Sequence, residues 1–483
     1  MAVIRSNNPS DWTLVDRISI AEVEAPGAIT DTGSYVAFLV GRFERGPVDE
    51  IVRVTSAQHF KDVFGGYGVD FDGYQAVVNK KWSGLHVVRV SNDSMAASTK
   101  TLQATGAYGL EDSIVLTANS VGAWGDQLKV AVLAASDTSL VSGFAVRVRF
   151  YDADGDLADE ELFDNIADID SLPEDGESLY VNFAASVGAT LSPDVISDQD
   201  LAGGSEGSFV DTDYVGSISD HRGLFVLRSR KELAIVVCGK ASAVINAGVK
   251  ATVDAMQNAV GIISGLTDMS VTNAIADVPT YRLDRVVYCF PYVKTYIDGA
   301  LTTVLANSFV AAALTRLAAH LDIAGGSKAD SFAEVIGLSK VLEESDYEVL
   351  NKAGILAMEQ DDLFGHFVRN GVNTNLDVAK LMIFRRRMTD KLTKDIAQRL
   401  EFWRGKINSE KNRLAIKGEM DAYLEQKVLF EEIEDYSVDV EKLNTVTSLA
   451  NGELHIELLV KLFSSLRYIV LHATVGERVV VSE

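Results

Sequence analysis

The chain has 483 residues, of which 47% are hydrophobic and 23% are charged, a balance typical of globular proteins with several hydrophobic cores. Its 69 acidic and 44 basic residues give a net charge of −25, so most of its surface should repel nucleic acids and anionic membranes. It has no apolar run of about 18 residues that could span a membrane and no apolar leader, and its two cysteines exclude a disulfide framework.

The first 30 residues predict a terminal arm. Their polar start gives way to RISIAEVEAPG, in which Ile18, Ile20 and Val23 indicate a short strand. Pro26 and Gly27 should end this strand, because both residue types interrupt regular pairing. An apolar strand so close to a terminus has to pair with another strand, which makes the arm a candidate for contacts between subunits.

The segment 31–98 predicts strands alternating with short helices. SYVAFLVGRF and LHVVRVS are apolar runs typical of buried strands. AQHFKDVFGG follows Ser56, a favourable helix N-cap, and ends on paired glycines, so it predicts a short helix, and GYQAVVNKKW predicts a second one. We expect the glycines of VGRFERGPVDE at turns, because neither phosphate-binding glycine pattern is present.

The segment 99–204 predicts a β-rich inserted domain. SIVLTANSVGAWGDQLKVAVLA, FAVRVRFYDADGDLADEELF and SLYVNFAASVGATL contain strand-like runs separated by glycine, aspartate and asparagine turns. Asp152, Asp154 and Asp156 suggest a calcium loop, but Leu157 and Phe163 stand where an EF-hand needs glycine and glutamate. A hairpin turn at Asp154 explains the pattern better, and weak calcium binding stays open as an alternative.

The segment 205–370 predicts an α/β layer with a largely parallel sheet. The strand-like GLFVLRS and ELAIVVCG precede the helix-like AGVKATVDAMQNAVGIISG, and the strand-like RVVYCFPYV precedes SFVAAALTRLAAHLDIAGG, a helix that contains His320. Cys238 and Cys289 lie in apolar runs and are expected to be buried thiols of a protein made in a reducing cytoplasm.

Two patterns that could carry chemistry have a simpler structural explanation. Residues 203–207 match the G-x-S-x-G nucleophile elbow around Ser205, but polar segments stand where the motif needs a buried strand and a helix. We therefore expect a loop. The seven histidines show no metal-binding spacing, so the sequence predicts no metal site and no cofactor.

The segment 371–483 predicts helices over 376–430 and strands at the end, with a turn at Gly476. Its strongest anomaly is a basic stretch from Phe384 to Lys406 with eight basic and three acidic residues. This stretch predicts either a dock for an acidic partner or a solvated helix with i,i+4 ion pairs. The basic residues are Arg385, Arg386, Arg387, Lys391, Lys394, Arg399, Arg404 and Lys406.

Taken in order, these features resemble the contractile tail sheath proteins of bacteriophages and phage-like injection devices. VAFLVGRFERGP, VRVTSAQHFKDVFGG and GLHVVRVSN look like the first core strands and helix of that family. LTANSVGAWGDQLKV resembles its GxWGN segment, with Asp126 in place of the usual asparagine. LAGGSEG, YEVLNKAGI, FRRRMTDKLTKDI and GELHIEL with LRYIVLHATV resemble later family segments. The family's proline-rich run is missing between Pro291 and Gly325, and no FEPN run follows the arginine helix.

The resemblance implies a multidomain α/β fold with a subtilisin-like, non-catalytic sheath core, a β-rich inserted domain and terminal strand arms. The expected parts are 1–30, 31–98, 99–204, 205–370 and 371–483. It implies inter-subunit strands at Ile18, Ile20, Val23, Tyr468, Val470, Val479 and Val481. It also implies a tube-binding surface at Arg385, Arg386, Arg387, Lys391, Lys394 and Arg399.

The implied function is structural. Sheath subunits form stacked hexameric rings around an inner tail tube and contract to drive the tube through the target envelope. The implied partners are other copies of the chain, the tube, the baseplate and the tail terminator, without direct nucleic-acid contact or membrane insertion. The location would be a virion tail assembled in the host bacterial cytoplasm. A different self-assembling shell or surface-layer protein, or an α/β serine hydrolase, is the alternative.

Overall fold

The computed structural model describes residues 35–66, 71–78, 82–140, 142–152, 154–297, 299–325, 332 and 334–465. They fall into two compact units that divide between Asp390 and Lys391. The five-part division expected from the sequence stays a prediction. No helix among the described residues is long and apolar enough to cross a membrane.

The start of the first unit follows the sequence pattern closely. Ser56 caps the first helix, since its Oγ accepts the His59 N–H at 3.0 Å, and Gly65 ends this helix with a φ of +82°. The predicted strands and helices of this segment are therefore confirmed. They are β1 (Val36–Gly41), β2 (Ile51–Val54), α1 (Ala57–Phe64), α2 (Tyr74–Val78) and β3 (Leu85–Arg89).

The next segment is built from two antiparallel sheets that share one hydrophobic core. Its strands are β4 (Thr99–Gly106), β5 (Gly109–Ala118), β6 (Leu128–Ala134), β7 (Phe144–Tyr151), β8 (Leu157–Ile166), β9 (Val181–Ala185) and β10 (Ile196–Asp200). One sheet has the order β4-β5-β9 and the other β10-β6-β7-β8. Leu116 of β5 and Val130 of β6 are fully buried in the shared core, as expected when two sheets pack face to face.

The remainder of the first unit alternates strands and helices. Its elements are α3 (Asp211–Val215), β11 (Ala234–Cys238), α4 (Ala243–Met256), β12 (Ala259–Ser264), α5 (Val271–Asp277), β13 (Val286–Phe290), β14 (Val293–Ile297), β15 (Ala300–Val304), α6 (Asn307–Arg316), β16 (Gly337–Leu338), α7 (Glu344–Ala353), β17 (Ile355–Asp361) and β18 (Gly365–Val368). Strands β15, β14 and β16 form a small separate sheet.

An eight-stranded sheet forms the centre of this unit, in the order β18-β17-β13-β12-β11-β1-β3-β2. The six inner strands are parallel, and an antiparallel strand closes each edge. Every residue of β11, β12 and β13 is buried, so both faces of the sheet are covered. The predicted α/β layer with a largely parallel sheet is confirmed.

Three local predictions in this region are wrong. GLFVLRS forms a 3₁₀-helix, Gly223–Ser229, because Leu224 and Leu227 share one face at a spacing of three and are both buried. The helix predicted over AGVKATVDAMQNAVGIISG stops at Met256, and its last residues form β12. Helix α6 ends at Arg316, so His320 lies in the turn beyond it.

The helix α8 (Ile383–Leu400) leads into the second unit, which continues with α9 (Glu410–Leu429), β19 (Asp435–Asp439), α10 (Val446–Ala450) and β20 (Glu457–Lys461). The helical prediction for 376–430 is confirmed in its main parts. Ile396, Met420 and Leu424 of the two long helices are buried. Tyr436 Oη donates to the Asp421 carbonyl at 3.0 Å, which fixes β19 on α9.

Candidate functional site

The residues predicted to link subunits lie outside the described residues. They are Ile18, Ile20, Val23, Tyr468, Val470, Val479 and Val481. Their role stays a prediction. Surfaces that could bind such arms have to be sought among the described residues.

The basic segment predicted to bind an acidic partner is helix α8, and its first turns are buried. The Arg387 side chain is 1% exposed and donates to the carbonyls of Leu314 at 2.8 Å and Leu317 at 2.6 Å, at the C-terminal end of α6. Its guanidinium lies 4.9 Å from the centre of the Tyr35 ring. Desolvation lowers the pKa of Arg387 to about 10, so the group stays charged at neutral pH. This burial removes Arg387 from the predicted surface.

Arg386 also belongs to an internal network. Asp390, one turn further along the helix, accepts both guanidinium branches of Arg285 at 2.6 and 2.9 Å. Arg386 donates to the same carboxylate at 2.5 Å and to Asp284 at 3.3 Å. Asp390 is 5% exposed, and such buried pairs are costly to break because an uncompensated charge remains. These contacts fasten α8 to the start of β13.

The other basic residues leave a smaller candidate surface. Arg399 is half-buried and donates to the Glu419 carboxylate at 2.8 Å. Arg404 is 80% exposed at the side chain and pairs with Glu401, which is also exposed. Arg385, Lys391 and Lys394 are also half-buried. Whether these residues bind a tube stays a prediction.

The sequence analysis missed a second surface, the two-stranded sheet formed by β19 and β20. Five residue pairs join the strands, and neither outer edge has a partner strand among the described residues. Leu459 is 57% exposed, while Leu458 and Val460 are only half-buried. Two strands alone are marginally stable in water, and open edges accept further strands. The run of apolar residues in IELLVKLF was the available signal.

The residues of the two sequence patterns that suggested catalysis or metal binding form turns and backbone pairs in the described chain. The backbone of Ser205 pairs with Ala96, and its Oγ accepts the Gly207 N–H at 3.0 Å. No histidine or carboxylate of the described residues hydrogen-bonds this hydroxyl. Asp152 Oδ1 accepts the N–H of Asp154 and of Asp156 in the turn between β7 and β8, which confirms the hairpin.

No group of three or more histidine, cysteine, aspartate or glutamate side chains could hold a metal ion in the part of the chain that the structure describes. Cys238 and Cys289 are free thiols and are buried, as the sequence predicted. Burial raises the pKa of both thiols, because a thiolate loses its hydration in an apolar environment. Buried thiols of this kind are typically unreactive.

No protein-family model matches the sequence, and no curated protein matches it. Solved structures do match. The sheath tail protein of Desulfitobacterium hafniense superposes with a TM-score of 0.63 at 14% identity, over 92% of this chain and 100% of that one. The chain has the fold of the contractile sheath proteins.

Two further structures show the same sheath fold. The sheath tail protein of Listeria innocua gives a TM-score of 0.62 at 15% identity, covering 91% of this chain and 96% of its own. The helical sheath of the anti-feeding prophage in its contracted state gives 0.57 at 12% identity, covering 96% and 99%. The likeness spans nearly the whole of each chain, so it concerns the complete fold rather than one common domain.

In this sheath fold, the usual ligand crevice of a parallel sheet is filled by the chain itself. Such crevices lie where the strand order reverses, here between the ends of β1 and β11. Asp72 occupies this point and accepts the Arg42 N–H at 2.8 Å and the Tyr214 hydroxyl at 2.7 Å. A Cβ on Gly239 would lie 2.3 Å from Asp72 Cβ, so the strand end and the side chain are in close contact.

Replacing Asp72 with asparagine should stabilise the protein at neutral pH. Desolvation raises the pKa of Asp72, so the fold favours the neutral carboxyl. That contribution is complete below the unfolded-state pKa of about 3.9 and is lost as the pH rises through the raised folded-state value. Thermal unfolding should give equal Tm values for wild type and Asp72→Asn near pH 3, and a higher Tm for the variant at pH 8.

Asp62→Asn on α1 is the matched control, because it removes the same charge from an exposed side chain. A lower Tm of Asp72→Asn at pH 8 would mean that the two hydrogen bonds outweigh desolvation and hold Asp72 as a carboxylate.

Proposed function

We propose that this chain is a structural sheath subunit that polymerises as a helical array of stacked hexameric rings around an inner tail tube. Contraction of the array would drive the tube through the target cell envelope. The observation that carries the proposal is the likeness to sheath proteins over more than nine-tenths of the chain. The subtilisin-like character of the core and the non-enzymatic role are parts of this proposal.

The open sheet of β19 and β20 supports a specific mode of assembly. A helical array needs heterologous contacts between neighbours, and these must hold while the subunit bodies rotate. A strand from a neighbouring copy that adds to an open edge meets this need, since its main-chain hydrogen bonds do not depend on how the bodies are oriented. The terminal segments around Ile20 and Val470 are the proposed donors.

The proposal includes no nucleotide hydrolysis or other reaction, so the energy for contraction has to be stored in the sheath itself. Contraction would release free energy stored in the extended lattice, with each subunit moving as a rigid body to a lower-energy packing. The proposed partners are the inner tube, the baseplate and the tail terminator, in a virion tail or related injection machine. The tail would be assembled in the bacterial cytoplasm.

Negative-stain electron microscopy of the purified chain tests the proposal. We expect long, striated, hollow tubes with six-fold end views, either from the chain alone or after addition of its tube protein. Deleting residues 1–24 should leave a folded, soluble protein that forms no tubes, because the donor strand is lost. Normal polymerisation of the truncated chain would contradict the role of the arm.

Particle shape separates this proposal from the other self-assembling proteins. A surface-layer protein would form flat sheets and a shell protein closed particles, whereas a sheath forms tubes. Monomers that remain monomers with the tube protein present would contradict the sheath proposal. Labelling of Ser205 by a serine-reactive probe would instead favour the hydrolase alternative.

Reversing charges on the accessible part of α8 should weaken binding to the tube. The Lys391→Glu and Lys394→Glu pair leaves the buried Arg387 contacts in place, so the fold and sheath polymerisation should persist. We expect co-assembly on tubes to fall by about tenfold at 0.15 M salt, and wild-type binding to fall as salt is raised. Co-sedimentation with tubes measures both effects.

The matched control reverses two exposed lysines elsewhere, Lys231→Glu and Lys352→Glu, and should leave tube binding unchanged. Equal tube binding by the α8 variant and by the wild type would show that α8 does not face the tube.

A further inference from the structure

A cleft in the second unit has no assigned partner. It lies beside the junction of α8 and α9, and its volume is about 280 Å³. This volume is just below the ~300–1,000 Å³ typical of small-molecule sites, so the cleft suits one or two protein side chains better than a cofactor. Its apolar lining residues are Leu400, Trp403, Ile407, Ile416, Leu454 and Ile456.

The walls of the cleft are held in place by side-chain hydrogen bonds. Asn412 Nδ2 donates to the Ile407 carbonyl at 2.7 Å, and Asn408 Nδ2 donates to the Glu453 carbonyl at 3.3 Å. The indole N–H of Trp403 donates to the Glu419 carboxylate at 3.1 Å. The cleft is therefore preformed, which lowers the entropic cost of binding.

The cleft is positively charged as well as apolar. None of its lining residues is acidic, and three are basic: Arg404, Lys406 and Arg413. Arg413 donates to Glu441 at 3.0 Å, and Arg404 pairs with Glu401 at the surface. Lys406 has no ion-pair partner among the described residues. A partner should therefore offer apolar side chains beside a carboxylate.

The hairpin between β17 and β18, in the first unit, has this pattern at its tip. Leu363 is 81% exposed and Phe364 is 51% exposed, large values for such side chains. The exposed Asp362 directly precedes them. The tip thus presents two apolar side chains and one carboxylate to the solvent.

The shape of the tip is fixed by local contacts. Asp361 Oδ1 accepts the Leu363 N–H at 2.7 Å and the Phe364 N–H at 3.0 Å. Gly365 ends the turn with a φ of +70°, as expected for a three-residue hairpin loop. The Phe364 ring makes an edge contact with Phe367 at 6.4 Å between ring centres. Little conformational entropy is lost when such a tip binds.

A second exposed tip, between β4 and β5, matches the cleft less well. Tyr108 is 99% exposed there, but no acidic residue adjoins it. Gly106 and Gly109 flank the turn and leave its backbone more conformational freedom in solution. Charge and rigidity both favour the tip between β17 and β18 as the occupant.

We propose that the tip of the β17–β18 hairpin of one copy inserts Leu363 and Phe364 into the cleft of a second copy, with Asp362 beside Lys406. The two surfaces belong to different parts of the chain, so the contact is heterologous and can repeat along a helical array. This inference rests on the proposed sheath function and deepens it, because it adds a contact between copies that uses neither terminal segment.

Charge exchange in the full-length chain tests the pairing. Asp362→Lys or Lys406→Glu should each raise the critical concentration for polymerisation about tenfold in low salt, because like charges then face each other. The double variant should return to within about twofold of wild type, since the opposite charges are restored. Light scattering over a concentration series measures the critical concentration.

The matched control is Asp254→Lys, the same charge change on an exposed position of α4. It should give no rescue of Lys406→Glu. No loss from either single variant, or additive losses in the double variant, would overturn the proposal.

Disulfide trapping tests the contact without requiring tubes. A chain carrying Leu363→Cys is mixed with a chain carrying Ile407→Cys under mild oxidation, and the buried Cys238 and Cys289 should remain unreacted. We expect a covalent product between the two different chains. As the matched control, a Tyr108→Cys chain should give no such product with Ile407→Cys, although residue 108 is the more exposed.

The two experiments separate this proposal from the proposed function. Absence of tubes from the wild type, with and without its tube protein, would count against the sheath function, and the trapping result would still decide the contact. Lack of the mixed product, or an equal yield from the Tyr108→Cys chain, would overturn the cleft proposal even if tubes form normally.

Discussion

Replacing Arg89 with methionine should lower the free energy of unfolding by about 3–5 kcal/mol, a loss typical of an interrupted buried ion pair. Arg89 ends β3 and is 0% exposed. Its guanidinium lies 3.7 Å from Glu206 and donates to four main-chain carbonyls at 2.8 to 3.1 Å. These carbonyls belong to Phe43, Glu44, Gly46 and Val121.

The size of the expected loss follows from what methionine leaves behind. It fills much of the same volume but donates no hydrogen bond, so four carbonyls lose a donor where water has little access. Glu206 would keep the Ala123 N–H at 3.1 Å and lose its cation. Desolvation already raises the pKa of Glu206, and the loss of Arg89 would raise it further. Lysine would restore the charge but not the branched set of donors.

Chemical unfolding followed by circular dichroism and tryptophan fluorescence measures the change. Arg222→Met is the matched control, because Arg222 pairs at the surface with the exposed Asp93. This substitution should change the free energy of unfolding by less than about 0.5 kcal/mol. A loss below about 1 kcal/mol for Arg89→Met would show that water replaces the guanidinium at these carbonyls.

Arg89 also explains the glycine-rich stretch near the start of the chain. Gly46 has a φ of +93°, and a Cβ there would lie 2.6 Å from the Val63 carbonyl oxygen. The tight turn brings the carbonyls of residues 43, 44 and 46 around one guanidinium. The sequence correctly predicted a turn at this glycine. It gave no sign of Arg89, because the residue that organises the turn lies more than 40 positions away.

Elements with a local physical cause could be predicted from the sequence. The helix after Ser56 begins at a hydroxyl cap and ends at a glycine with positive φ, and both signals lie within ten residues. The inner strands of the large sheet are unbroken apolar runs because both of their faces are covered.

Elements that depend on distant contacts or unusual local geometry could not be predicted. Helix α4 ends at Met256 and is capped by Gln257, whose φ of +60° normally favours glycine or asparagine, so no stop signal was visible in the sequence. Distant contacts also explain why the candidate site was predicted incompletely. Arg387 looks like a surface charge in a basic helix, yet its acceptors lie about 70 residues earlier, at the end of α6.

Arg387→Met should therefore affect folding rather than partner binding, and the free energy of unfolding should fall by about 1–3 kcal/mol because buried carbonyls lose their donor. The substitution removes the donor to Leu314 and Leu317, and with it a positive charge at the negative end of the α6 helix dipole. Tyr35 loses the guanidinium over its ring but keeps its hydroxyl bond to the main-chain carbonyl of residue 387 at 3.0 Å.

The same substitution at Arg404 gives the matched control on the neighbouring surface. Arg404→Met removes an exposed cation paired with Glu401, so its effect on unfolding should stay below about 0.5 kcal/mol. Thermal and chemical unfolding of both variants, with binding to the tube protein measured below their unfolding transitions, separates the two roles. A stable Arg387→Met chain that had lost tube binding would contradict the burial argument, because only an accessible side chain can contribute to that surface.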